Sequence, residues 1–548
     1  MNQHFSFFAA LLCLTSVANA APQFDSPLGP PTAPLENPIT AEKAVLGKIL
    51  YWEEQLSSDD TMACGTCHMP AAGFADPREG IHPGKDGIFQ TADDLYTSPG
   101  VIRSAASGDF KPDPTFGLQE QCTGRRTPDI FGALYSPTAF WDGRASGEFI
   151  NPVTHAIAIK TGGSLESQIA GPPGSDGEMA REGRDWEMIA AKIKAAKPLR
   201  LASNLPQDLI QALRRYPTYP QLFEQAFGTS EVSAQRIIFA IATYERTLVP
   251  SDTPYFRWLR GEKTAMTANQ IQGHNQFMRE AQCFSCHPPP IFTQPEFFNL
   301  GLRDWQEDPG RMKVTGLHAD RGKFRVPSLL NVGLRPRYMH TGEYQTLWPG
   351  GVGQLYLEGG GPMVHDRDIL LTTLKDVPGI EMDKIMDFVG NALTDARVRD
   401  EIYPFDRPTL CSERMSVRGA FQQCSLESAE TSSAHILAKQ PAFPGSESFR
   451  IGLDGGPVGA FARLVVSATP SESVATDFRF LCHDLRLTQN FFLTTSDAGN
   501  GRGYATVQAA IPNDSSLVGR RFSAQWFIAA STKEASLTTR ANDFVIHD

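Results

Sequence analysis

Cys64-Gly65-Thr66-Cys67-His68 and Cys283-Phe284-Ser285-Cys286-His287 spell Cys-x-x-Cys-His twice in one chain. The pentad is the attachment site of a c-type haem. Two thiols on one turn form thioethers to the two vinyl groups, and the adjacent imidazole becomes an axial ligand of the iron. The competing reading is a zinc or disulfide Cys-x-x-Cys that a stray histidine happens to follow. Four of nine cysteines fall into the two pentads, a pattern that chance does not readily repeat. The sequence therefore implies two covalently bound haem c groups, held by Cys64, Cys67 and His68 and by Cys283, Cys286 and His287. Two such motifs imply two related cytochrome c-like units. The expected fold is mainly α, with two haem domains, long loops and a separate all-β, sandwich-like C-terminal domain.

Compartment and composition agree with that reading. Met1 to Ala20 has a polar start, an apolar stretch from Phe5 to Val17 and a small-residue cleavage site, Ala18-Asn19-Ala20, which reads as a signal peptide. The apolar stretch is too short to span a bilayer, and no later run reaches that length. A soluble periplasmic or secreted protein is expected. Setting aside Cys13 and the haem cysteines leaves Cys122, Cys411, Cys424 and Cys482, enough for two disulfides in an oxidising compartment. Cys411–Cys424 is the nearest pairing, and all three pairings stay open. The 548 residues predict more than one domain. With 61 acidic against 50 basic residues the formal charge is −11, which argues against nucleic-acid binding.

The chain divides by texture. From Thr40 to about Asp400, helical patches alternate with Gly/Pro-rich loops, and Ser233–Val249 reads as one helix, with Ser233 as cap and Pro250 as stop. After about Ala434, short alternating apolar segments recur at Phe449–Leu453, Phe461–Ser467, Phe478–Leu481, Phe491–Thr494, Tyr504–Ala509, Phe522–Ile528 and Phe544–Ile546. Asp454-Gly455-Gly456 and Asn513-Asp514 read as the turns between them, a β-sandwich pattern. The boundaries expected are 1–20 for the signal peptide, 21–265 and 266–410 for the two haem domains, 411–434 for a linker and 435–548 for the β-domain.

Further blocks bring a family into view. Phe140-Trp141-Asp142-Gly143-Arg144, Tyr244-Glu245-Arg246-Thr247-Leu248-Val249, Gly322-Lys323-Phe324-Arg325-Val326-Pro327-Ser328-Leu329-Leu330-Asn331 and Tyr338-Met339-His340-Thr341-Gly342 occur in order around the pentads. Over roughly Ala41 to Arg399 the chain resembles the bacterial dihaem cytochrome c peroxidase and MauG superfamily. Leu165-Glu166-Ser167-Gln168-Ile169-Ala170-Gly171-Pro172, followed by Glu178-Met179, is similar to the family's L-E-x-Q-x-x-G-P…E-M segment. That resemblance implies that Gln168, Pro172 and Glu178 face the open side of the N-terminal haem. Peroxide cleavage moves a proton from one oxygen to the other, work suited to a carboxylate, while a neutral amide holds the molecule. Without haem context Glu178 would be read as a solvated loop acid.

The resemblance also implies that Trp141 lies between the haems and carries electrons, although a core aromatic would look the same in sequence. Tyr356-Leu357-Glu358-Gly359-Gly360 is similar to the Y-x-x-G-G segment of MauG-like members, making Tyr356 the second axial ligand of the C-terminal haem. Met363 is the nearest methionine competing for that place. An anionic oxygen favours the oxidised iron, whereas a thioether raises the potential. His82 sits near where some peroxidases keep a removable ligand, and a surface histidine fits equally well. Calcium is left open. Arg126, Arg335 and Arg337 stand where the family holds the ion between the haems, and cationic side chains there would repel it. Asp86–Asp94 is acidic enough to bind calcium but reads first as a solvated turn. Phe149–Ser164, with His155, looks like an insertion and receives no role.

The function implied is a dihaem oxidoreductase of the MauG-like branch, which reduces hydrogen peroxide at the N-terminal haem. It would oxidise a small redox protein (cytochrome c or cupredoxin) or a protein side chain through the second haem. Plain peroxide detoxification is the rival, and a non-enzymatic electron carrier or sensor is the alternative of a different class. No nucleic acid or transmembrane segment is expected, and the partner of the β-domain is unknown.

Overall fold

Two helix crossings, built alike, organise the body. In the first, Ala41–Tyr51 crosses Ala234–Glu245 at Gly47, where an added Cβ would lie 1.9 Å from the Ala240 carbonyl oxygen. In the second, Ala268–Met278 crosses Met382–Asp387 at Gly273, whose Cβ would lie 1.9 Å from the Lys384 oxygen. Glycine is required at both points because the backbones touch. Leu46, Ile49 and Leu50 join Ile237, Ile238 and Ile241 in one buried apolar cluster. Each pentad follows the first helix of its pair on a short helical turn, Cys64–Cys67 and Cys283–Ser285. Both first helices have side-chain caps, from Thr40 to the Lys43 N–H and from Thr267 to the Gln270 N–H, each contributing about 1 kcal/mol.

This computed structural model describes residues 28–371, 374–417, 434–446, 448–468, 488–498, 502–529, 537–538 and 542–546. The signal-peptide reading, the segment Phe478–Leu481, Cys424, Cys482 and most of the expected linker lie outside them. Among the described residues no helix is long and apolar enough to cross a membrane.

The helix expected over Ser233–Val249 is shorter at its end. Ser233 occupies the N-cap position, but its hydroxyl makes no capping bond. Thr247 and Leu248 then donate three residues back, to Tyr244 and Glu245, at 2.8 and 2.9 Å. Pro250 disfavours helical geometry at Val249, so the last turn tightens early. The stretch Pro77–Thr127 carries two short strand pairs. Gly80–His82 pairs with Leu95–Thr97, and Pro99–Ile102 with Glu120–Cys122. In the Phe149–Ser164 stretch, Phe149–Ile150 pairs with Ile157–Ile159.

The tail is β, as its alternation implies. Arg450–Gly456, Gly503–Gln508, His435–Leu437 and Ser496–Asp497 form one antiparallel sheet. Phe461–Ala468, Thr488–Thr494, Arg521–Ala529, Leu537–Thr538 and Asn542–Val545 form another. Ile451 and Leu453 of the first sheet share a buried cluster with Leu464, Trp526 and Ile528 of the second. The Trp526 Nε1–H donates to the Gly452 oxygen at 2.9 Å and ties the sheets together. One expectation fails here: Asp454-Gly455-Gly456 is the end of a strand, not a turn. The register shifts between Leu453 and Gly456, so the glycines absorb a strand irregularity.

Candidate active site: two cavities sharing a tryptophan

The first pentad opens onto a cavity of about 990 Å³ lined by Cys64, Cys67 and His68. The His68 Nδ1 lies 3.1 Å from the Phe74 carbonyl oxygen. A carbonyl only accepts, so Nδ1 carries the proton and Nε2 is left as the metal-binding nitrogen. Burial lowers the imidazole's pKa against the opposing pull of the Phe74 bond and of Asp76 and Asp129, keeping the ring neutral as ligation requires. Burial likewise pushes both thiols far up.

Gln168, Pro172 and Glu178 line the same cavity. Gln168 lies in the last turn of the helix Ser164–Ile169, and Pro172 opens a 3-10 turn. A long-range ion pair fixes that helix. Arg246 donates to both oxygens of Glu166, at 2.7 and 2.9 Å, with both side chains buried. The Asn37 amide adds a bond of 2.9 Å to the same carboxylate. The Tyr-Glu-Arg-Thr and Leu-Glu-Ser-Gln blocks are thus two halves of one contact. Glu178 is raised above the usual carboxylate range by burial, partly offset by the Ser175 hydroxyl and the Arg144 guanidinium. A carboxyl so raised keeps its proton to higher pH than an exposed one, which suits it to taking and returning a proton.

The second pentad opens onto a smaller cavity of about 220 Å³, lined by Cys283, Cys286, His287 and Tyr356. The His287 Nδ1 lies 3.0 Å from the Phe292 oxygen, repeating the first arrangement. Burial lowers this imidazole to about 4. Tyr356, on the helix Val352–Leu357, is raised first by burial and then by the Cys283 and Cys286 thiols. Met363 is 37% exposed and is not in the lining.

Trp141 lines both cavities. Its Nε1–H donates to the Arg126 oxygen at 2.7 Å, its own oxygen accepts from the Arg325 N–H at 2.8 Å, and its ring meets His340 edge-on. His340 also lines both cavities, is buried with Nε2 unpartnered, and stacks on Phe324 at 3.6 Å. Arg126 and Arg325 are buried and line both as well; the Arg126 Nε–H, the Arg325 Nε–H and the Arg325 Nη1 find no acceptor among the described residues. Such donors call for an anion. A haem fits these surroundings: free imidazole nitrogen, thiols at the wall, and cations waiting for its propionates.

The remaining candidates separate clearly. His82 ends the strand Gly80–His82 and lines the first cavity, its Nδ1 buried without a partner. The Arg126 guanidinium donates to the Asp76, Arg78 and Thr97 carbonyls. Arg335 pairs with Asp129 at 3.1 Å, and Arg337 with Glu79 at 2.7 Å. In the acidic loop, Asp93 accepts from the Lys85 and Asp86 N–H groups and Asp94 from that of Gln90, so these carboxylates cap their own turn. His155 carries a positive φ of 58° and lines neither cavity. Sequence reasoning missed His340 and Glu245. Glu245 lines the first cavity, and burial raises its carboxyl to about 8. Both lie inside recognised blocks, which was the only available signal.

A family model described as di-haem cytochrome c peroxidase matches residues 41–264. The methylamine utilization protein MauG of Methylorubrum extorquens is 28% identical over 330 residues, 60% of this chain and 72% of that protein. The cytochrome c peroxidase Ccp of Escherichia coli is 31% identical over 363 residues, 65% of this chain and 62% of that one. A crystallised MauG-like protein associated with microbial copper homeostasis aligns with a TM-score of 0.48 at 24% identity, covering 71% of this chain and 98% of its own. Over the residues matched, the body that carries the two pentads is similar to enzymes of the dihaem cytochrome c peroxidase and MauG superfamily.

Proposed function

We propose that this is a periplasmic dihaem oxidoreductase of the MauG-like kind, with two covalent haem c groups and hydrogen peroxide as oxidant. The haems, when bound through Cys64, Cys67 and His68 and through Cys283, Cys286 and His287, supply the redox-active iron at which peroxide is reduced. Gln168 and Pro172 shape and hold the peroxide pocket. Glu178 takes a proton from one peroxide oxygen and returns it to the other, so that the leaving oxygen departs as water. Trp141 carries electrons between the cavities, and Tyr356 ligates the second iron. The electron donor is a small redox protein or an oxidisable side chain of a protein substrate.

The observation that carries this reading is the shared wall: Trp141 lines one cavity with Gln168 and Glu178 and another with Tyr356. Its test is Glu178→Gln, an isosteric change that cannot accept a proton. Peroxide consumption should fall about 10²–10⁴-fold with the haem content intact. Unaltered turnover would remove the proton role. One observation favours a second reading, a peroxidase gated by His82: that ring lines the first cavity with a buried, unpartnered Nδ1. Under it, His82→Ala would convert a low-spin N-terminal haem into a high-spin one, with no such change under the first reading.

A further inference from the structure

The loop between Pro99 and Cys122 has two faces, and each meets a different part of the molecule. Its inner face is zipped to the segment carrying Glu178. An added Cβ at Gly100 would lie 2.1 Å from the Gly177 oxygen and 2.9 Å from the Glu178 Cα, so the two backbones are in contact. The Gln121 Nε2 donates to the Asp176 oxygen at 2.7 Å, and the Glu182 N–H to the Ser104 oxygen at 2.9 Å. Arg103 and Lys111 both grip the Glu182 carboxylate, at 2.9 and 2.8 Å.

The outer face of the same loop is covered by the β tail. Ile102, Phe110 and Leu118 form a buried cluster with Leu437 of the tail, against which Tyr504 packs. Gly452 lets the sheet approach, since a Cβ there would lie 2.7 Å from the Phe110 ring. Arg450 donates to the Ser107 oxygen at 3.0 Å and pairs with Asp109 at 3.3 Å. A second contact arrives from the other side. The Ser448 hydroxyl donates to Asp60 at 2.5 Å, two residues from Ser58, whose N–H bonds the Met179 oxygen at 2.8 Å.

From this layering, tail on loop on Glu178 segment, we propose that the C-terminal β region is a positioning clamp for the peroxide-handling wall of the first cavity. This deepens the proposed role of Glu178 and rests on it. Cores and their close-packed extensions transmit displacement, and a misplacement of about 1 Å at a reacting group costs about a hundredfold in rate. Loosening the tail on the loop would free the Glu178 segment to shift and to hydrate more readily. The second cavity has no part in this layering, because neither the loop nor the tail contributes to its lining.

The test uses the full-length, haem-loaded protein and Gly452→Val, which wedges the tail away from Phe110. The second-order rate with peroxide should fall about tenfold to a hundredfold. The acid limb of its pH profile should move to lower pH, because a better-hydrated Glu178 loses its proton more readily. The optical signature of the second haem should not change. In Phe110→Ala/Gly452→Val the added methyls occupy the space left by the ring, and the limb should return toward its original position. Should the wedge prevent folding, Leu437→Ala thins the same cluster and carries the same expectations in weaker form. A rate and acid limb unmoved in these variants would overturn the clamp. A Glu178→Gln enzyme of normal activity would instead overturn the reading beneath it, so the two failures are distinguishable.

Discussion

The two cavities start from the same parts and end with different ones. Each has a pentad on a short turn, a helix crossing closed by a glycine, and a histidine whose Nδ1 is tied to a carbonyl five or six residues on. What shares the cavity with the histidine differs. The first cavity is about 990 Å³ and holds an amide and a carboxyl raised by burial, whereas the second is about 220 Å³ and holds a tyrosine. The shared scaffold presents the two pentads alike, and the segments that complete each cavity differ, the helix Ser164–Ile169 with the Glu178 segment in one and the helix Val352–Leu357 in the other. Under the proposed function, the amide and the raised carboxyl serve the peroxide side and the phenol serves the second iron.

The comparison breaks first at the Glu166–Arg246 pair, which braces only the first cavity. Arg246→Ala leaves the Glu166 charge buried without its main partner and should cost about 3–5 kcal/mol of stability. In thermal unfolding followed at each haem, the loss should appear at the N-terminal one. Equal loosening of both would mean that the units are not separately braced. Next comes the shared wall. Trp141→Phe should lower peroxide-driven oxidation of an external donor by about tenfold, roughly 1.4 kcal/mol of barrier, with both haem spectra retained. Tyr356→Phe sharpens the contrast from the other side. It should alter the optical and EPR signature of the second haem and leave the first encounter with peroxide within about twofold of wild type, since a phenol–iron bond tunes only that iron.

A separate effect is one of pH. Burial raises Glu245 to about 8 and Glu54 to about 7. Above pH 4.5 the unfolded chain releases these protons while the folded chain keeps them, so stability falls as pH rises through the window to about 8. Each group contributes at most about 1.4 kcal/mol per pH unit. The melting temperature should be higher at pH 5.5 than at pH 8, and Glu245→Gln should flatten that slope.

What was legible in the sequence was local. A haem pentad is five contiguous residues, and a half-buried strand is an alternation, so both pentads and the strands at Phe461, Tyr504 and Phe522 could be read directly. Contacts across long separations could not. Nothing in the Leu-Glu-Ser-Gln block announces that Glu166 meets Arg246, 80 residues away. His340 and Arg325 gain interest only when the fold lays them along both cavities with unpartnered nitrogens. The edge strands His435–Leu437, Ser496–Asp497 and Leu537–Thr538 are too short to show a period. Asp454-Gly455-Gly456 misled because its turn-forming composition also suits an irregular strand end.

The proposed function makes the two irons inequivalent, one open to peroxide beside Glu178 and one closed by Tyr356, with Trp141 joining them. Low-temperature EPR of the ferric protein, before and after addition of hydrogen peroxide, tests it most directly. One high-spin and one low-spin signal are expected, both lost together when peroxide is added. Two low-spin signals that peroxide leaves unchanged would contradict it, and would describe a protein whose first iron is already closed.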